Sequence, residues 1–150
     1  MKKNDVTIRK GGVDDLGHAL HLVKELARYE NAPESVVTTV QDYLADLEAG
    51  WFDLIVADAG DKIVGIALGH RAYSTWNGRM YYLDDLVVNE AHRHCGIGKM
   101  LFNAILAHAR STGARSLKWQ VLEWNEPAIR FYSGWNAELD AEWVNGRIYF

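Results

Sequence analysis

The sequence predicts an α/β chain of the α+β kind: a mixed, mostly antiparallel central sheet with helices on both faces, in the order βααβββαβαββ. Three observations predict it. Helical spacing of apolar residues opens the chain, three β-rich runs then follow one another between residues 52 and 88, and a β-α-β-α alternation comes after them. At 150 residues, 49% hydrophobic and 24% charged, the chain has the size and make-up of one globular domain spanning residues 1–150.

Val6 to Arg9 reads as a short strand. Val13, Leu16, Leu20, Val23 and Ala27 then recur at helical spacing behind Asp14 and Asp15, acids that suit a helix N-terminus. The stretch Tyr29 to Glu34 reads as a loop, and a second helix covers Thr39 to Glu48 and ends at Gly50. Phe52 to Asp58, Lys62 to Ala72 and Arg79 to Val88 form an antiparallel meander. A long helix follows from Ile97 to Ser111, closed by Gly113. A strand at Ser116 to Leu122, a helix from Glu126 to Trp135 and two terminal strands at Ala137 to Asp140 and Arg147 to Phe150 complete the order.

Sixteen Lys and Arg against twenty Asp and Glu give a net charge of −4, which weighs against nucleic acid and favours cationic partners. Six tryptophans are dispersed without the basic interleaving that base stacking uses. A single cysteine makes no internal disulfide, and Met1 to Asp5 leads into no apolar run, so the expected setting is reducing and cytoplasmic. No stretch approaches a membrane span, and no membrane partner is expected.

Arg93-His94-Cys95-Gly96-Ile97-Gly98 lies between a buried strand and a helix, where backbone N–H groups point outward at the positive helix end. The turn departs from the familiar nucleotide loops. Leu101 stands where a dinucleotide fingerprint needs a small residue, and Gly98-Lys99-Met100 lacks the hydroxyl of G-K-[ST]. Alone, the glycines either relax a tight connection or seat a diphosphate. His92, His94 and Cys95 on one turn enclose no tetrahedral site without a fourth ligand, so no metal is expected.

Three separated blocks settle the context: Tyr82-Leu83-Asp84-Asp85-Leu86-Val87-Val88 before Arg93-x-x-Gly96-x-Gly98, then Gln120 to Pro127 running on to Phe131-Tyr132, and Glu25 to Glu30 upstream. With these, the chain resembles the GNAT superfamily of N-acetyltransferases from about residue 6 onward, and within it the diamine (spermidine/spermine) acetyltransferase-like subgroup. The resemblance implies a GNAT-like fold and acetyl-CoA as cosubstrate. The pantetheine would pair with Leu86, Val87 and Val88, and the diphosphate would rest by Arg93 on the turn His94, Cys95, Gly96, Ile97, Gly98 and Lys99. Lys118, Trp119 and Gln120, with Asn125, Glu126, Pro127 and Ala128, match the remaining cofactor-contacting segments. Tyr29, Glu30 and Asp84 match substrate-contacting positions, Glu142 lies near another, and a homodimer is implied. Two residues depart from the pattern: His94 and Cys95 stand where relatives more often carry Gly and a basic residue, and Asn136 where a Gly usually follows the last helix.

Acetyl transfer to an alkylamine needs a neutral nitrogen, yet a free amine has a pKa of roughly 10.4, so a group must accept its proton. Asp84 matches the subgroup's acidic position, usually Glu, which acts through water. Strand alternation puts Asp84 and Asp85 on opposite faces unless a bulge intervenes. The resemblance gives Tyr132 as the general acid, a phenol suited to protonating a departing thiolate. The expected activity is therefore direct, ternary-complex transfer to a primary amine of a small cationic substrate, polyamine or lysine-like. Acetylation of a protein, peptide or antibiotic amine, or a non-catalytic CoA-binding regulatory module, are the alternatives.

Overall fold

A computed structural model describes residues 5–150, and the chain divides into two compact units, one ending at Trp119 and one comprising Gln120–Phe150. The first holds a five-stranded sheet in the order β1-β2-β3-β4-β5, built from β1 (Thr7–Lys10), β2 (Asp53–Asp58), β3 (Ile63–Ser74), β4 (Gly78–Val88) and β5 (Ser116–Lys118). Neighbours from β1 to β4 are antiparallel and β5 joins β4 in parallel, which gives the mixed sheet expected from the sequence.

Three helices cover this sheet: α1 (Leu16–Tyr29), α2 (Val40–Ala49) and α3 (Ile97–Ser111). Leu16, Ala19, Leu20 and Leu22 of α1 and Tyr43 of α2 share one core with Leu54, Val56, Ile66, Leu68 and Val87, which are alternate residues of β2, β3 and β4. The opposite sheet face receives α3 through buried Ile97, Leu101, Phe102, Ile105 and Ala109. Gly65 on that face lies so near the helix that a Cβ there would stand 3.0 Å from Leu101 Cδ1.

Local chemistry sets the ends of these elements. Thr39 accepts from the Asp42 N–H while Asp42 accepts from the Thr39 N–H at 2.7 Å, and Gly50 turns left-handed at φ 76° to close α2. Arg9 grips both Asp15 oxygens at 2.8 and 2.9 Å and Asp58 at 2.8 Å, tying β1 to β2 and to the entrance of α1. On the α3 face, Asp53 accepts from the Tyr81 hydroxyl at 2.8 Å and lies 2.9 Å from His108 Nε2, pinning β2, β4 and α3 together.

In the second unit α4 (Glu126–Ser133) begins at Asn125, whose side-chain oxygen accepts from the Ala128 N–H at 3.3 Å, with Pro127 in the first turn as expected. Asn136 adopts the left-handed conformation at φ 55°, which asparagine tolerates. The two terminal strands expected from the sequence are not formed. Residues 137–150 carry neither helix nor strand, and Val144, Ile148, Tyr149 and Phe150 are all exposed. Their strand preference expresses a fit to a half-buried pleated surface, and without such a surface it fixes nothing. The strand expected over Ser116 to Leu122 is likewise confined to Ser116–Lys118.

Candidate functional site

The site begins with one extra residue. Along β4, Leu86, Val87 and Val88 pair with Ala67, Ile66 and Gly65, and Asp85 pairs with Leu68, but the next partner of β3, Gly69, meets Leu83. Asp84 is therefore the unpaired residue of a β-bulge. Gly69 makes room for it, because a Cβ at that position would stand 2.5 Å from the Tyr81 ring and 2.6 Å from the Tyr82 carbonyl oxygen.

Alternation resumes beyond the bulge, so Asp85 shares the α1 face with Val87, half-buried near the end of α1. Burial, then Asp84, then Glu30 push the Asp85 carboxyl up to about 7. Glu30, the residue that closes α1, is itself raised by burial. The Tyr43 hydroxyl of α2 is raised by burial, by Asp85 and by Asp84, with a Thr38 hydrogen bond acting against them. Burial, Asp84 and Asp85 raise Tyr82, whose ring lies 5.4 Å from that of His70. Three carboxylates and two phenols thus feel one another on this side of the sheet. Asp84, the expected acid, is exposed at the bulge; the carboxyl held near neutrality is its neighbour.

The sequence pairs Asp85 with Asp84 on β4 but assigns the catalytic role to Asp84, and nothing in it marks Tyr43 or Tyr82 as part of the site. A glycine amid the apolar run of β3 was the available signal for the bulge that gathers them.

Past Tyr82 the ladders of β4 differ. Its parallel pairing with β5 covers Met80–Tyr82 against Ser116–Lys118 and, among the described residues, stops there, whereas the antiparallel ladder with β3 runs on to Val88. The chain then passes through Asn89 to the turn before α3. His94 is exposed and left-handed at φ 62°, Cys95 is half-buried in no disulfide, and Gly96 caps α3 at φ 81°. Ile97 is buried, while the first turn beginning there carries Gly98 and Lys99 and no acid. A 15-residue helix whose start bears a lysine and no carboxylate suits a diphosphate, so this turn fits the acetyl-CoA that the resemblance implies.

Arg93 reaches back to β4 and across to α1. Its Nε donates to the Val88 carbonyl at 3.1 Å, and its guanidinium carbon lies 5.4 Å from the centre of the Tyr29 ring. Tyr29, expected in a loop, is the last residue of α1. Lys118 ends β5 in solvent, and Trp119 meets Phe102 edge-on at 5.6 Å. In the second unit Gln120 donates to Asn145, and Tyr132 is 8% exposed with its ring 5.2 Å from that of Phe131. Glu126 is exposed on α4, and Glu142 is exposed with its N–H on Asp140 at 2.8 Å. A cavity of about 190 Å³ opens on the α3 face beside Ile8, Lys10, Asp53, Ile55 and His108, on the opposite side of the sheet from Asp85.

A model of the acetyltransferase (GNAT) family matches residues 19–135. The chain belongs to that family. It is an acetyl-CoA-dependent N-acetyltransferase. This acetyltransferase is 32% identical to a thialysine N-epsilon-acetyltransferase of Bos taurus over 143 residues, covering 89% of this chain and 84% of that one. It is 29% identical to a human spermidine/spermine N(1)-acetyltransferase-like protein over 145 residues, covering 90% of this chain and 21% of the relative. Among solved structures, an aminoglycoside acetyltransferase from a soil metagenomic sample superposes with a TM-score of 0.81 at 20% identity, covering 98% and 97% of the two chains, which establishes the shared fold. Among the described residues, no helix is long and apolar enough to cross a membrane.

Proposed function

We propose that this acetyltransferase transfers acetyl from acetyl-CoA directly to a primary amine of a small cationic substrate, a polyamine or a lysine-like amine. One observation carries the reading: the influences on Asp85 all act in one direction, burial and two neighbouring carboxylates each pushing its proton on. A bound ammonium reverses that balance, so the site is relieved by the cation it is read to accept. The thialysine and spermidine/spermine names of the relatives agree with such a substrate.

Bound acetyl-CoA supplies an acyl group activated as a thioester. The residues read to hold it are the turn from His94 to Lys99 and the β4 edge from Leu86 to Val88, with the segments Lys118 to Gln120 and Asn125 to Ala128. Glu30 and exposed Asp84 attract the ammonium, with the Tyr29 ring beside them. Asp85 takes the proton from nitrogen, directly or through water, and Asp84, exposed beside it at the bulge, is read as the second carboxylate able to relay that proton through water. As the nitrogen–carbon bond forms and the carbon–sulfur bond breaks, Tyr132 gives its proton to the leaving sulfur. No protein nucleophile is required. Glu142 is carried as a further substrate contact and a homodimer as the assembly. A single cysteine, Cys95, in no disulfide suits a reducing, cytoplasmic setting.

Thiol release from acetyl-CoA in the presence of polyamines, lysine analogues, aminoglycosides and peptide amines tests the proposal. Polyamines or lysine analogues should give the highest kcat/KM; turnover confined to peptide amines or aminoglycosides, or none with any amine, overturns it.

A further inference from the structure

We infer that Arg93 is a positioning residue for the acceptor side, holding the Tyr29–Glu30 corner against the end of β4, and not a ligand of the diphosphate. The inference rests on the reading of Glu30 and Asp85 as the amine site. Its warrant is the direction in which Arg93 is committed. Nε is engaged by the Val88 carbonyl at 3.1 Å, and the guanidinium lies 5.4 Å from the centre of the Tyr29 ring. A planar cation placed over a ring is held by the ring's quadrupole, and one donor fixed on a backbone carbonyl sets its orientation.

A second strut joins the residue after β4 to the same helix. Asn89 Nδ2 lies 3.2 Å from each carboxylate oxygen of Glu25, while its own N–H donates to the Val64 carbonyl at 2.9 Å. Glu25 and Tyr29 are four residues apart and so stand on one face of α1. The struts hold the last two turns of that helix, at Glu25 and Tyr29, and its end is fixed axially by the Glu30 N–H on the Leu26 carbonyl at 2.9 Å and the Ala32 N–H on the Ala27 carbonyl at 2.8 Å. Those bonds set how far the helix runs, whereas the struts set where its end lies across the sheet. Glu30 is the next residue, so its separation from Asp85 depends on them. Lysine keeps the charge of Arg93 but neither the planar face nor the Nε donor, so it cannot replace it here.

The test measures CoA affinity and spermidine affinity separately by calorimetry on the full chain, together with KM and kcat for spermidine. Variants are Arg93→Gln, Arg93→Lys, Tyr29→Leu, Tyr29→Phe and the double variant Arg93→Gln/Tyr29→Leu, with Glu30→Gln as the control for the amine site. Expected are a less than about twofold change in CoA affinity and an about five- to tenfold weaker spermidine affinity for Arg93→Gln and Tyr29→Leu, a cation–π-sized effect. Tyr29→Phe, which keeps the ring, should lose less than Tyr29→Leu, and the double variant should be no worse than Tyr29→Leu, because Arg93 acts through the Tyr29 ring. Arg93→Lys, folded by its thermal midpoint, should fall with Arg93→Gln. A tenfold loss of CoA affinity in Arg93→Gln, or unchanged spermidine affinity in both single variants while Glu30→Gln weakens it, overturns the inference alone. Unchanged spermidine affinity in Glu30→Gln overturns the amine-site reading, and the inference with it.

Discussion

Gly69 and Tyr81 approach too closely for any side chain at position 69: a Cβ there would stand 2.5 Å from Tyr81 Cε1. Neither neighbour is free to yield. Tyr81 is fully buried with its hydroxyl on Asp53 at 2.8 Å, and the other near atom is the backbone oxygen of Tyr82. Gly69→Ala should therefore cost about 1–3 kcal/mol, the usual range for overpacking, and disturb the bulge that displays Asp84. Thermal unfolding and spermidine kinetics check both effects. An unchanged midpoint with unchanged kcat/KM would show that the bulge does not need the glycine.

Asp85 gives a prediction whose sign depends on pH. Its folded-state pKa of about 7 lies above the ordinary value of 3.8, so the folded protein holds this proton longer and stability falls as pH rises through that window. Asp85→Asn imitates the protonated form. The gain of the variant over the parent should be small at pH 4, near the unfolded value, and grow through pH 5 and 7 to its largest at pH 8, followed by calorimetry. Its turnover should also lose the acid limb of kcat/KM near pH 7. Equal destabilisation at pH 4 and pH 8 would contradict the raised pKa, and a retained acid limb would remove Asp85 from proton transfer.

What the sequence showed and what it hid divide along physical lines. α3 spans Ile97–Ser111 as its apolar spacing predicts, and α2 ends at Gly50 as expected, because caps and periodicity are local. The placement of Asp84 and Asp85 was not local. Period-two alternation assigns faces only while the ladder is regular, and beyond the hint of Gly69 in β3 the extra residue of β4 is located by its pairing with β3. Tyr43 joins the acids from α2, some forty residues upstream, through packing that no motif records. The lost terminal strands are the converse: residues 137–150 have strand-like composition, but a strand also needs a neighbour's hydrogen bonds and a surface to cover.

Tyr132→Phe isolates the proton donor. The residue is 8% exposed in α4, and phenylalanine keeps its shape, so folding and CoA affinity should be retained. Loss of a general acid lowers turnover by about 100-fold or more, and kcat should fall to that extent with KM for the amine little changed. Unaltered kcat in a thiol-release assay would take the hydroxyl out of the reaction.

His94 concerns the fit of the turn before α3. Its φ of 62° is one that side chains rarely adopt, and it is exposed, so little packing compensates the strain. A left-handed residue costs about 1–2 kcal/mol, less for histidine than for most, and glycine returns part of the gain through its freer unfolded chain. His94→Gly should therefore stabilise by up to about 1 kcal/mol and raise the thermal midpoint by about 2–4 °C. His94→Ala removes the same imidazole but keeps the strained conformation, so it should give no such rise. CoA affinity should tighten in His94→Gly, because the backbone N–H groups of the turn are then less shielded. Equal midpoints for the two variants would show that the imidazole, and not the backbone angle, governs this turn.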